Sequence, residues 1–475
     1  MDLSRRTSQA RFAAYVEALV EVIGHADRAK PLNDYCVGLL MPGERKSVEP
    51  MAAIVAPTRV SAKHQSLLHL VGEAPWSDEA VLGKVRELVL PCIERQGPIE
   101  AWIVDDTGIA KKGTHSVGVA RQYCGRLGKQ DNCQVAVTLS IANHTASLPI
   151  AYRLYLPEAW ANDQTRRNKA HIPKEIEFKT KPQIALDQIR AAHAAGVAPG
   201  VVLADAGYGV NGGFRAGVTA LDLPYVVGVQ STLTVWPPGQ EPLPAKPWNG
   251  HGRKASRLNR DLEHHPVTVK ELALSLKKKA WRTLTWREGS NTPLTSRFAA
   301  VRLRPASRDY NRTKPHPVEW LIVEWPNGEA EPTKYWLSTL PKDTPLQDLV
   351  DKAKLRWRIE RDYEELKGEL GLAHYEGRGW RGFHHHATLC IAAYGFLICE
   401  REAIPPSASW QRKMPPLPKG FRPRGAADPT RTSRRKLDRD DQKTPHRRAR
   451  KNPYAMSMLS NNAPPDSCPH PFMTQ

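Results

Sequence analysis

WIVDDTGIAKKG, residues 102–113, joins a run of β-branched and aromatic residues to two acids and a turn, and VVLADAGYG, residues 201–209, repeats the plan. Each reads as a buried strand that releases a carboxylate where it ends: Asp105 with Asp106 in the first, Asp205 in the second. In an open α/β sheet, sites are built at the carboxyl ends of the strands. An Asp there also starts turns and caps helices, so either one alone says little. Two at equivalent places in one chain say more. Because successive side chains of a strand point to opposite faces, Asp105 and Asp106 cannot serve one site from one face.

Outward from these stretches, 101–105, 133–140 and 148–156 read as three consecutive strands. A helix over 181–194, a buried strand over 200–205, a short helix and a strand over 224–229 follow. The pattern predicts an α/β fold in which the early strands form an antiparallel meander and the later ones join in parallel. Residues 1–96 show helical apolar spacing, as in ARFAAYVEALVEVI (10–23) and SDEAVLGKVRELVLPCI (77–93), and predict a compact helical domain. Residues 97–229 form the first part of the α/β core.

From 230 to 345 the helix signal gives way to short strand-like runs such as FAAVRLR, EWLIVEW and KYWLST, an inserted, mostly-β subdomain. It holds Trp236, Trp248, Trp281, Trp286, Trp320, Trp325 and Trp336. Residues 346–402 return to helix, with one long helix over 346–370 and another over 382–399. Residues 403–475 turn to Pro, Arg and Lys with little apolar periodicity and read as a basic, disordered tail. GYGVNGG (207–213) lacks the Lys-Ser/Thr of a phosphate loop and reads as a flexible turn.

At 475 residues and 53.1 kDa the chain exceeds one ordinary domain. Lys and Arg number 69 against 49 Asp and Glu, a net charge of +20, so a polyanion is the first partner to consider. The seven Cys form no C-x-x-C pair and no regular framework, which favours reduced thiols in a cytosolic protein over a zinc ribbon or an exported disulfide scaffold. No signal-peptide pattern opens the sequence, and the longest apolar run, 387–399, is too short to span a bilayer. A cytoplasmic protein with no membrane partner is expected.

A clamp for hard divalent cations needs a third carboxylate. Glu360 is the candidate, on one helix face with Arg356 before it and Lys367 after it; a solvated face with ordinary ion pairs is the competing reading. Lys111, Lys112, Arg121, Arg126 and Lys129 form a basic stretch that could run along DNA or simply favour solubility. The tryptophans of the insert could stack on a base, but core packing is favoured for most. His384, His385 and His386 are adjacent on a helix, point in different directions and are assigned to packing or surface roles rather than to one metal. Cys124 and Cys133 read as buried thiols.

The spacing Arg356, Glu360, Lys367 resembles the Arg-Glu-Lys part of the signature of DDE transposases of bacterial insertion sequences. With WIVDDTGIAKKG, SVGVARQYCGRLGKQDNCQVAV (116–137), YRLYLPEAW (152–160) and VVLADAGYG, the chain is similar to the insertion-sequence-701 group over about residues 15–400. Ala353 stands where that signature has Tyr. The resemblance implies an RNase H-like catalytic core, a mixed sheet flanked by helices, with Asp105, Asp205 and Glu360 around two Mg2+ or Mn2+ ions. Asp105 fits the family's Asp-x-Thr form because Thr107 follows, and Asp106 is the alternative first acid. Arg356 and Lys367 are expected to hold DNA phosphates. The implied activity is a transposase that binds terminal inverted repeats, with 1–96 as a DNA-binding domain, cuts at the ends and joins them to target DNA. Its expected setting is a homodimer on double-stranded DNA at the nucleoid. A catalytically idle DNA-binding regulator and a structure-specific nuclease without a joining step are the alternatives.

Overall fold

A computed structural model describes residues 7–125, 127–248, 250–251, 254–287 and 294–403. The expectation for the basic tail and the position of Arg126 lie outside the described residues.

Five helices open the chain: α1 (Ser8–Val20), α2 (Ala29–Leu40), α3 (Val48–Val55), α4 (Val60–Gly72) and α5 (Asp78–Glu94). Thr7 caps α1 by accepting from the Ala10 N–H at 3.2 Å, and Ser77 caps α5 by accepting from the Ala80 N–H at 3.1 Å. Asp78 and Glu79 in the first turn of α5 complement its positive end.

The strands follow as β1 (Ala101–Ala110), β2 (Ala120–Cys124), β3 (Lys129–Ala142) and β4 (Ser147–Leu154). Three helices, α6 (Glu158–Ala161), α7 (Gln164–Lys169) and α8 (Lys181–Ala194), lead to β5 (Val201–Ala204). Next come α9 (Ala206–Gly209), α10 (Gly212–Thr219) and β6 (Tyr225–Val229). β3 pairs antiparallel with β1 on one side and with β4 on the other, and β5 pairs parallel with both β1 and β6. The early meander and the later parallel strands are as the sequence pattern implied. β2, rich in polar residues, was not expected; it pairs with the first residues of β3.

β1 does not stop at Asp105. It runs five residues further because β3 is 14 residues long and holds it in register through Ala110. Its ladder with β5, however, ends at Ile103↔Leu203. Asp105 therefore lies where the sheet opens on one side only.

The GYGVNGG stretch is not a flexible turn either, since it forms α9 and enters α10, capped by Asp205 and Asn211. Gly209 is needed there because a Cβ would fall 1.9 Å from the Gly228 carbonyl oxygen on β6.

Beyond β6 lie β7 (Thr234–Trp236), β8 (Val267–Thr268), α11 (Val269–Ser275), β9 (Arg282–Arg287), β10 (Leu294–Pro305), β11 (Glu319–Trp325) and β12 (Lys334–Ser338). The strands of FAAVRLR, EWLIVEW and KYWLST are present. The helix α11, started by a Thr268/Glu271 capping box, had no counterpart in the sequence reading. β12 pairs antiparallel with β6, so the inserted strands continue the core sheet in the order β2-β3-β1-β5-β6-β12-β11-β10-β7-β8.

The expected long helix is two, α12 (Leu346–Leu355) and α13 (Trp357–Gly368), interrupted at Arg356. The last helix, α14 (Trp380–Ala403), is buried along most of its length, against α5, α2 and β4. This explains its apolar run: among the described residues no helix is long and apolar enough to cross a membrane. A continuous apolar core joins Phe12 and Val85 of the N-terminal helices to Val104 of β1 and Ile398 of α14.

The three histidines are spent in this packing. His384 spans the Trp380 carbonyl and the Leu154 N–H, and His385 lies 3.0 Å from Asp78 while stacking on Trp76. His386 meets the Tyr35 hydroxyl at 2.8 Å, and burial pushes its pKa down to about 4. Cys124 and Cys133 are buried free thiols beside Val135.

Candidate active site

Side-chain parity along the sheet sorts the two acids of β1. Asp105 pairs across with Thr138, whereas Asp106 pairs with Val137 and faces the other side. On that other side Asp106 makes an ion pair with Lys181 at the start of α8. The parallel ladder of β1 with β5 ends at Ile103↔Leu203, two residues before each acid, and the Asp205 carboxylate is near enough to raise the pKa of both Asp105 and Arg356.

Asp205 caps α9, its Oδ1 accepting from the Gly207 N–H at 2.9 Å. The structural role expected of a lone Asp is real, and it fixes the carboxylate at the sheet opening.

Helix α13 crosses the Asp105 face. The Tyr363 hydroxyl meets the Thr138 hydroxyl beneath Asp105, and Lys367 donates to the Gly108 carbonyl at 3.0 Å. Arg356, at the break between α12 and α13, reaches Asp105 Oδ2 with Nη1 at 2.7 Å and Glu360 Oε1 with Nη2 at 3.4 Å. The structure thus brings Asp105, Asp205, Arg356 and Glu360 together. Glu360 stays open to solvent, its side chain 67% exposed, and Lys367 sits further along the strand.

Burial pushes the Asp105 carboxyl up to about 7; Arg356 opposes this and the neighbouring Asp205 and Asp106 add to it. Burial also acts against the charged Arg356, yet Asp105, Asp205 and Glu360 together hold its guanidinium above the usual range. The two partners differ for a simple reason. One buried guanidinium faces several carboxylates, so it is well compensated while Asp105 is not. Further positive charge would be accommodated here.

The donor chemistry suits a hard divalent cation: carboxylate oxygens and no sulfur or imidazole. Among the described residues no three His, Cys, Asp or Glu side chains are drawn together closely enough to hold a metal ion. The guanidinium of Arg356 lies between Asp105 and Glu360, where a cation would compete with it.

A second charged centre sets the approach of α12. Lys354, 9% exposed, donates to both Glu324 oxygens at 2.7 and 2.6 Å, with its ammonium 4.3 Å from the Trp286 ring and 5.6 Å from Trp336. Trp236 is buried and donates to Asp309 at 2.8 Å, and Trp281 packs edge-on against Trp325 at 5.3 Å. Trp320 is half-buried against the core, and Trp248 is exposed. Core packing, as expected, takes most of the insert's tryptophans.

Sequence reasoning missed Lys181, Lys354 and Tyr363. Only Tyr363 carried a signal, three residues after Glu360 on the same helix face.

A family model described as DDE superfamily endonuclease matches residues 18–293, a span that includes Asp105 and Asp205 and ends before Glu360. A curated protein from Microchaete diplosiphon, "Probable transposase for insertion sequence element IS701", is 30% identical over 226 residues, 47% of this chain and 55% of that protein. The chain thus spans about half the length of that curated relative. The mixed α/β sheet flanked by helices agrees with the RNase H-like core implied by the resemblance. By the match over more than half of its length, the chain belongs to the DDE superfamily endonuclease family.

Proposed function

We propose that this protein is a DNA transposase: it binds the terminal inverted repeats of an insertion sequence, cuts phosphodiester bonds at the ends and transfers the strands to target DNA. The observation that carries the reading is the convergence of Asp105 and Asp205 from neighbouring strands with Glu360, through Arg356. The relative named a probable transposase supports the same assignment.

In this reading Asp105, Asp205 and Glu360 would hold two Mg2+ or Mn2+ ions. When bound, such ions lower the pKa of an attacking water or 3′-hydroxyl and stabilise the leaving oxygen of an in-line displacement. Burial raises the pKa of Asp105 to about 7, so it would have to be deprotonated to serve as a ligand. Arg356 would offer a planar fork to a phosphate, and Lys367 a point charge further along β1. Asp106, on the far face and paired with Lys181, anchors α8.

The helical residues 8–94 and a second copy of the chain would complete the grip on paired ends in the cytoplasm. Purified protein incubated with duplexes of the gene's flanking inverted repeats and Mg2+ should give cut ends and joined products. Glu360→Gln should bind the same duplex without cutting it. Equal cutting by that variant would reject the assignment. Binding without cutting by the wild type would favour an idle regulator, and cut but never joined ends a nuclease.

A further inference from the structure

Helices α5 and α14 run in the same direction and meet at several points along their length. Asp78, at the start of α5, lies 3.0 Å from His385 and accepts from the Thr388 hydroxyl at 2.7 Å. Two turns on, Gly395 faces Val89 and Val85, where a Cβ would fall 2.9 and 3.1 Å from their methyl carbons. The bare glycine lets the two helices approach closely there. One turn further, Cys399 arrives beside Cys92, and the two sulfurs lie 3.8 and 3.6 Å from the same acceptor, the Leu88 carbonyl oxygen.

This pair differs from other thiols of the fold in access and in charge. Cys36 and Cys390 are buried, and burial pushes the Cys36 thiol up to about 12. Cys92 and Cys399 are only half-buried. The Cys399 thiol donates to the Cys92 sulfur, which holds Cys92 below the ordinary thiol range and pushes Cys399 above it. Arg95 also favours the Cys92 thiolate, while burial and the carboxylates of Glu402 and Glu400 oppose it. Core packing alone, the role Cys36 and Cys390 fill, needs neither a second sulfur in contact nor access to solvent.

We propose that Cys92 and Cys399 form an oxidisable dithiol, a modification site at which a peroxide converts the pair to a disulfide. The Cys92 thiolate attacks one peroxide oxygen, the O–O bond breaks, and the departing hydroxide takes up a proton to become water. Cys92 is then a sulfenic acid. The Cys399 thiol gives up its proton and attacks that sulfur, the S–S bond forms, the S–O bond breaks, and the hydroxyl leaves as a second water. The thiols lose two electrons and the peroxide gains them. The new bond ties the N-terminal helices to α14 and closes a loop of roughly 300 residues. Since α14 seats α13, through Tyr394 to Asp362 at 2.9 Å and Arg401 to Glu365 at 2.7 Å, oxidation welds the helical part of the chain to the support of the Glu360 helix.

The test uses full-length protein treated with hydrogen peroxide, alkylated with iodoacetamide and mapped by mass spectrometry after proteolysis. The wild type should yield a peptide joining Cys92 to Cys399, with two of its seven thiols lost together and recovered in dithiothreitol. In Cys399→Ser the reaction should stop one step earlier, at a sulfenic acid trapped on Cys92 by dimedone. A wild type in which both cysteines are still alkylated after a treatment that oxidises free glutathione would overturn the proposal. So would a cross-link or a dimedone adduct at Cys124 or Cys133 in place of Cys92. Should Cys399→Ser fail to fold, the wild-type peptide map decides by itself. No DNA enters the experiment, so its outcome is independent of the transposase reading.

Discussion

Arg356 places its guanidinium 2.7 Å from Asp105 and 3.4 Å from Glu360, so a single side chain ties a helix end to the strand where the sheet opens. It acts as a resident cation among carboxylates, and a metal ion must share or displace it. Replacing it by Ala should therefore strengthen Mn2+ binding in the absence of DNA, by roughly tenfold for the loss of one competing charge. The same variant should bind DNA ends more weakly. A Mn2+ titration followed by electron paramagnetic resonance measures the first effect; weaker metal binding in the variant would mean that Arg356 supports the cation rather than competing with it.

The raised pKa of Asp105 gives a pH dependence with a definite sign. Between the ordinary value of 3.8 and about 7 the folded protein keeps a proton that the unfolded chain has lost. Stability therefore falls as pH rises through that window, and Asp105→Asn should remove this share of the decline. Cation binding must displace the same proton, so Mn2+ affinity should rise about tenfold per pH unit below about 7 and level off above it. A flat profile from pH 5 to 8 would contradict the burial of this carboxyl.

Lys354 and Glu324 form a buried pair inside a ring of tryptophans. Lys354→Met leaves Glu324 charged and alone, which should lower stability by about 3–5 kcal/mol. The double variant Lys354→Met with Glu324→Leu should recover most of that loss, because apolar replacements of a buried pair are commonly neutral. Denaturant melts of the three proteins test this, and a single variant as stable as wild type would show that the pair is hydrated.

Gly209→Ala tests how the second acid is held. The new methyl carbon would have to enter the Gly228 carbonyl, so β6 or α9 must move. Since α9 carries the cap made by Asp205, the variant should lose at least about 2 kcal/mol of stability and weaken cation binding as well. A fully stable variant with normal Mn2+ affinity would count against rigid placement of Asp205.

Much of the fold was legible because its signals are local. The β-branched runs at 101–105 and 201–204 and the Thr and Ser caps of the helices depend on neighbours in the chain. The two aspartates stood out for the same reason. What stayed hidden depends on partners far apart in sequence. That β12 would pair with β6 and extend the core sheet needed a contact between Tyr335 and Val229 that no periodicity encodes. The break at Arg356 is invisible to helix propensity, since Arg and Leu are both good helix formers; it coincides with a contact 251 residues away in the chain, to Asp105.

The central claim is that three side chains from separate parts of the chain share bound cations. Mn2+ titrations of wild type, Asp105→Asn, Asp205→Asn and Glu360→Gln, each with bound end DNA, measure it most directly. The account predicts that every single variant loses affinity by about tenfold or more while keeping its melting temperature within a few degrees. A Glu360→Gln protein that binds Mn2+ as tightly as the wild type would contradict it.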